Sequence, residues 1–300
     1  MSAPIVFATV ATKGGVGKTT LTANVSAILA DIGCRVLMID ADVQPSLSKY
    51  YPLHYSAPHG VVELLLGDNS EALAASCVSK TVYPNLDIIL SNNISADIET
   101  KVQNRHDRAF LLKTKLLLPF VQKNYDVILI DTQGAVGVLQ DTAAFASEYL
   151  ITPIMPEVLS AREFVSGTQE ALIRLQHGVN MGLSVPKMRA LIYAQNRTKD
   201  ARFVAEEIKT YFHQHYLDGK QQLLDVVVPQ AKAYTEAATL RLPVHCHEQQ
   251  HSGKADSAYK IMHEVVYELL PGLKEQGLQG NCFGGMKDLL PEEDFAAGVA

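Results

Sequence analysis

The stretch Lys13-Gly14-Gly15-Val16-Gly17-Lys18-Thr19-Thr20 constrains this chain more than any other because of what flanks it. Ile5 to Val10 is an apolar, β-branched run that reads as a buried strand, and from Leu21 to Ile32 apolar residues recur at helical spacing. The glycines therefore lie in a strand-to-helix turn, and Gly17-Lys18-Thr19 supplies the core of the pattern G-x-x-x-x-G-K-[ST] with its first glycine relaxed. Residues without a Cβ let backbone N–H groups converge on an anion, and the start of the following helix adds a favourable dipole. On that reading Lys18 reaches the β- and γ-phosphates of a nucleotide, Thr19 ligates Mg²⁺ and Thr20 donates to the α-phosphate. A glycine-rich turn with a stray lysine is the bland alternative, and the strand–turn–helix context argues against it.

Two further apolar runs end in acids. Arg35 to Asp40 reads as a second buried strand that leaves through Ala41-Asp42-Val43-Gln44-Pro45-Ser46, and Tyr125 to Asp131 as another. Ligands of open α/β sheets bind beyond the carboxyl ends of the strands, so Asp40, Asp42 and Asp131 are expected near the phosphates. Asp131 is the acid that holds Mg²⁺ opposite Thr19. Two acids that merely solubilise a loop would be the simplest account of Asp40 and Asp42 without the glycine loop upstream. More strands are expected at Pro84–Ser91, Tyr149–Pro153, Arg189–Ala194 and Val226–Pro229. Helices are expected at Gly60–Gly67, at Ala109–Lys123 with Pro119 as a kink or end, from Ser160 or Ala161 towards His177, and at Ile261–Leu270. Alternating strands and helices imply an α/β fold: a doubly wound, mostly parallel sheet with helices on both faces.

Lys13 carries the more specific information. A lysine at the start of such a loop cannot easily fold back onto the phosphates of its own loop and is better placed to reach another subunit's nucleotide. Lys-Gly-Gly-Val-Gly-Lys-Thr-Thr resembles the deviant Walker A loop of the ParA/MinD superfamily of P-loop NTPases, and the chain is similar to the ParA branch over roughly residues 4–270. The resemblance implies an ATPase, with ATP and Mg²⁺ as cofactors, that forms a homodimer with ATP sandwiched between protomers. In it Lys13 contacts the partner's phosphates, and residues 13–20 bind nucleotide. Thr19, Asp40 and Asp131 serve the metal, Asp40 through its water shell, and Asp42 orients or activates the attacking water. Asn196, at the end of a strand that approaches adenine in relatives, is a candidate base contact; a polar loop before a helix is the equal alternative. Val43 stands where the family usually has proline, and Gln133-Gly134 where it usually has Pro-Pro or Pro-Ala.

The same resemblance implies DNA partition: an ATP-state dimer that binds DNA non-specifically and a centromere-binding, ParB-like partner that stimulates hydrolysis. No helix-turn-helix segment precedes the loop, so a short form that does not itself read an operator is expected. A formal charge of −6 excludes a chain that coats nucleic acid through net charge, so DNA binding must be a local property. Lys187, Arg189, Arg197, Lys199, Arg202 and Lys209 are the candidate patch, with Arg241 and Lys254 in reserve; a solvated face, suggested by Glu206 and Glu207, is the alternative. A membrane-surface switch like MinD needs a basic amphipathic C-terminal helix, and Met286 to Leu290 is short and followed by acids. Metabolic synthetases of the superfamily generally lack the lysine matching Lys13, and bacterial tyrosine kinases need a tail tyrosine cluster that residues 268–300 lack.

Three hundred residues at 47% hydrophobic content can bury a substantial core. The N-terminus shows no basic, cleavable leader, and no apolar run approaches the ~18 residues of a membrane span, so a cytoplasmic, nucleoid-associated protein is expected. One ATPase domain over 1–270 is expected, with a glycine-containing, weakly ordered tail over 271–300. Cys34, Cys77, Cys246 and Cys282 are scattered without a C-x-x-C pair and read as reduced thiols, which counts against an iron–sulfur relative. His245, Cys246, His247 and His251 crowd one stretch, but their spacing fits no common zinc pattern, and a variable loop is the favoured reading.

Overall fold

The computed structural model describes residues 3–92, 97–134, 137–157, 182–216 and 219–284, with scattered positions between 167 and 179. Its strands are β1 (Ile5–Thr9), β2 (Val36–Ala41), β3 (Leu53–Tyr55), β4 (Val78–Thr81), β5 (Leu86–Ile89), β6 (Val127–Thr132), β7 (Tyr149–Ile154), β8 (Lys187–Gln195) and β9 (Gln221–Pro229). They form one nine-stranded sheet in the order β3-β4-β5-β2-β6-β1-β7-β8-β9. From β5 to β9 every pairing is parallel, whereas β3–β4 and β4–β5 are antiparallel. The short β3 and β4 were not expected from sequence, because three or four residues of mixed polarity carry no readable period.

The central strands are apolar throughout because both sheet faces are covered. Phe7, Val36, Met38, Val127 and Leu129 point into one core with α1 (Lys18–Ile32) and helix Ala258–Leu269. Their neighbours Val6, Ala8, Leu37, Ile39, Ile128 and Ile130 point into the other, beneath helices Val61–Leu66, Ile98–Gln103, Leu111–Leu116 and Val138–Ala146. A third cluster seats helix Lys199–His215 on β8 through Met188, Ile192, Val204, Ile208 and Phe212. Helix α1 is buried on nearly every side, which its small residues Ala23, Ala27 and Ala30 permit between sheet and helix Ala258–Leu269.

The stretch expected as one helix over Ala109–Lys123 is two, Leu111–Leu116 and Pro119–Asn124, with Pro119 opening the second. The helix expected from Ser160 or Ala161 lies largely outside the described residues, as does Met286–Leu290. From Pro271 to Gly284 the expected loose tail is instead docked. Pro271–Glu275 is a short helix, and the Tyr267 hydroxyl donates to the Leu278 carbonyl at 2.8 Å. The Tyr259 hydroxyl donates to the Gly280 carbonyl at 2.7 Å. These anchors come from helix Ala258–Leu269, so the local glycine-rich composition did not foretell them.

Candidate functional site

Strand β1 sits between β6 and β7, where the direction of winding reverses, and the glycine loop leaves its carboxyl end at that switch point. Gly15 and Gly17 take φ of +75° and +89°, left-handed values that side chains rarely adopt. Gly17 is constrained twice over, since a Cβ there would lie 2.2 Å from Cε1 of buried Tyr193. Nothing stands within 4 Å of where a Cβ would sit on Gly14 or Gly15, which leaves that stretch of backbone open to an anion. A hydroxyl lattice secures the loop's base: Thr22 donates to Thr9 Oγ1 and Thr132 to the Thr9 carbonyl, each at 2.7 Å.

The strand-end acids meet here because β2 and β6 are adjacent and in register, Asp40 opposite Asp131. Thr19 Oγ1 donates to Asp131 Oδ2 at 2.6 Å, while Asp131 Oδ1 is buried with no partner. Lys18 is only 6% exposed and is drawn electrostatically to Asp131 and Asp42, although burial outweighs both and lowers its pKa. An orphaned carboxylate oxygen beside a threonine hydroxyl fits a hydrated divalent cation. The residues present thus fit Mg²⁺ and a polyphosphate.

Asp40 is otherwise occupied. Its Oδ2 accepts from the Ser48 amide and hydroxyl, both at 2.7 Å, and its Oδ1 from the Asp42 amide at 3.3 Å. Such a carboxylate chiefly pins the Asp42 loop, and no sequence signal pointed to Ser48 as its anchor. Asp42 Oδ1 accepts from the Gln44 amide at 2.9 Å, and Ser91 Oγ donates to the Asp42 carbonyl at 2.6 Å. This Asx-type turn directs the loop without a proline at position 43, and Val43 instead packs on the core beneath. The departure at Gly134 also has a steric reason: a Cβ there would lie 2.6 Å from Cα and 2.9 Å from the amide nitrogen of Gly14. Gln133 meanwhile donates to Glu99 on helix Ile98–Gln103.

Burial raises the Asp131 carboxyl to about 7 and that of Asp40 to about 6, against the hydrogen bonds of Thr19 and Ser48. A carboxyl raised above its unfolded value near 4 takes up a proton on folding. Stability of the metal-free protein is therefore expected to fall as pH rises from about 4 to about 7, by roughly 1.4 kcal/mol for each tenfold gain in a carboxyl's proton affinity on folding. Mg²⁺ held there would take the place of that proton, so its stabilising effect should grow over the same range. Thermal denaturation with and without Mg²⁺-nucleotide would show both slopes, and Asp131→Asn should flatten them.

The remaining candidates are less gathered. Asn196 Oδ1 accepts from the Thr198 amide at 3.0 Å and hydroxyl at 2.5 Å, a turn that leads into helix Lys199–His215. The loop reading thus explains its carboxamide oxygen. The six basic residues do not form one patch. Lys187 and Arg189 lie over the Tyr149 ring, 5.8 and 5.2 Å from its centroid, at the opening end of β8. Arg197, Lys199 and Arg202 lie beyond its closing end, on the nucleotide side and roughly 26 Å away along the strand. Lys209, two to three turns further along the helix, pairs with Glu206 at 2.8 Å. A charge cluster in sequence was split because the extended β8 holds its two ends apart.

Sheet, glycine loop and opposed Thr19 and Asp131 define the class of P-loop ATPases. The AAA domain family matches residues 5–184. The chromosome-partitioning ATPase Soj of Treponema pallidum is 30% identical over 254 residues, 85% of this chain and 94% of Soj. The chain belongs to this ParA/Soj family of partition ATPases. The ATP complex of a Cyanothece McdA variant superposes with a TM-score of 0.72, covering 90% of this chain and 98% of that one; at 19% identity it speaks for the fold alone. Cobyrinic acid a,c-diamide synthase from Mycobacterium smegmatis, solved with an ATP analogue and magnesium, superposes with a TM-score of 0.64 at 27% identity, covering 78% of this chain and 93% of that one.

Proposed function

We propose that this chain is an ATP-dependent switch of DNA partition that dimerises around ATP and Mg²⁺, binds DNA non-specifically in that state, and is reset when a ParB-like partner stimulates hydrolysis. The carrying observation is the division between two lysines of one loop. Lys18 is buried beside Asp131, whereas Lys13 is half-exposed at the loop's start. Lys18 and the glycine-loop amides hold the phosphates, and Thr19 and Asp131 hold Mg²⁺, which neutralises charge on the transferring phosphoryl group. Lys13 reaches the partner's nucleotide, and Asp42 positions the attacking water.

DNA binding is assigned to Arg197, Lys199 and Arg202, which are exposed on the nucleotide side of the sheet. One such patch is weak against a net charge of −6, and dimerisation offers two to one duplex. Immobilised DNA of arbitrary sequence should retain the protein with ATP and release it with ADP, and log K should fall with log salt by roughly 0.9 per phosphate contact. Replacing Arg197 and Arg202 by glutamate should reduce binding to all sequences while ATP-dependent dimerisation persists. A wild-type affinity and salt slope in that variant would defeat the assignment.

The likeness to the cobyrinic acid synthase favours a second reading, a metabolic ATP-dependent synthetase. That enzyme class consumes ATP in proportion to an organic acceptor. ATP turnover without an acceptor, accelerated by DNA with a centromere-binding protein, would reject it.

A further inference from the structure

We propose that Asp31, His245, Cys246 and Cys282 form a structural zinc site that staples residues 276–284 to the far end of α1. The four residues come from three separate regions of the chain, and one donor atom from each lies within 4.8 Å of all the others. His245 Nε2 is 3.2 Å from Asp31 Oδ2 and 3.4 Å from Cys246 Sγ. A tetrahedral zinc with N, O and S ligands has edges of roughly 3.3–3.8 Å, so small side-chain movements complete the shell. The site lies at the opposite end of α1 from Lys18, roughly 20 Å along the helix, and is separate from the Mg²⁺ chemistry.

The surroundings are those of a ligand set. The Asp31 and His245 side chains are fully buried, an expensive placement for ionisable groups unless a partner or metal compensates it. The Cys282 amide donates to Asp31 Oδ2 at 2.7 Å and the Phe283 amide to Oδ1 at 2.5 Å, which orients the carboxylate. Gln249 Nε2 donates to Cys282 Sγ at 3.2 Å, the kind of outer contact that supports a metal-bound thiolate. His245 Nδ1 is buried without a partner, so Nε2, which faces Asp31 Oδ2 and Cys246 Sγ, is the ring nitrogen turned to the ligand set, and zinc there would take the place of its proton to Asp31. Two sulfurs, an imidazole and one carboxylate favour zinc over magnesium or calcium.

The crowded histidines of the sequence thus divide. His245 and Cys246 turn inward, whereas His247 faces Glu236 at 3.4 Å and His251 faces Glu248 at 3.0 Å. Cys246 and Cys282, far apart in sequence and without a zinc-type spacing, are brought together only by docking of the C-terminal segment. Zinc binding replaces the thiol protons of Cys246 and Cys282, which leave to solvent, and changes no oxidation state.

The full chain, purified with reduced thiols and without metal-affinity resin, should carry about one zinc per chain by elemental analysis. Stripped of metal and given Co²⁺, it should develop thiolate-to-cobalt charge-transfer absorption. Zinc at ~100-fold excess over its Kd should raise the stripped protein's Tm by about 5 °C. Cys282→Ser and Asp31→Asn should lose the stoichiometric zinc and the zinc-dependent Tm shift, while nucleotide binding reports whether they have folded. Absence of zinc from the purified chain, with no Co²⁺ absorption and no Tm shift in the stripped wild type, would overturn the site. So would a Cys246–Cys282 disulfide in protein alkylated straight from cells.

Discussion

Lys13→Ala is expected to bind ATP nearly as the wild type does but to lose dimerisation and to hydrolyse roughly 100-fold more slowly, the ~3 kcal/mol that one preorganised charge contributes in a water-poor site. Lys18→Ala should behave differently and lose ATP binding itself. The distinction follows from placement. Lys18 is buried against Asp131 and the floor of the loop, and its removal leaves an acid pair without its cation. Lys13 is partly exposed at the loop's entrance, where a second protomer's nucleotide could meet it. Equilibrium binding of a fluorescent nucleotide separates the two variants, and sedimentation with ATP reports the dimer. Unchanged ATP turnover in Lys13→Ala would end the two-protomer reading.

Asp42→Ala should bind ATP with Mg²⁺, accumulate as the dimer and turn over about 10²–10⁴-fold more slowly, the usual contribution of a group that positions or deprotonates a nucleophile. The Asp42 backbone is held from both sides, by its amide to Asp40 and by its carbonyl to Ser91, so the loop's path does not depend on the side chain removed. The carboxylate's one intraloop bond, from the Gln44 amide, is lost at the exposed edge of the turn. Single-turnover hydrolysis measured alongside dimer formation tests this role. Failure to bind nucleotide would move Asp42 into the Mg²⁺ shell instead.

What could be read from the chain was local. The apolar runs Ile5–Val10, Arg35–Asp40 and Tyr125–Asp131 announce strands because covered sheet faces require unbroken hydrophobicity, and the glycines announce a turn because only they tolerate its backbone angles. Those signals depend on residues a few positions apart, and they sufficed to bring Lys18, Thr19 and Asp131 to one point. Contacts between distant segments left no such trace. Ser48 on Asp40, Gly134 against Gly14 and the short antiparallel β3–β4 edge arise from packing of separately formed elements. The basic cluster illustrates the limit from the other side: residues close in sequence were carried to opposite ends of β8 by the strand's extended length. Asp31, His245, Cys246 and Cys282 show the converse, four ordinary positions that became neighbours only when the C-terminal segment closed over α1. Sequence determined the loop, the strand-end acids and the alternation of strands with helices, because short-range sterics and periodicity specify them. Tertiary structure alone decided which polar groups are buried together, because that depends on which distant surfaces meet.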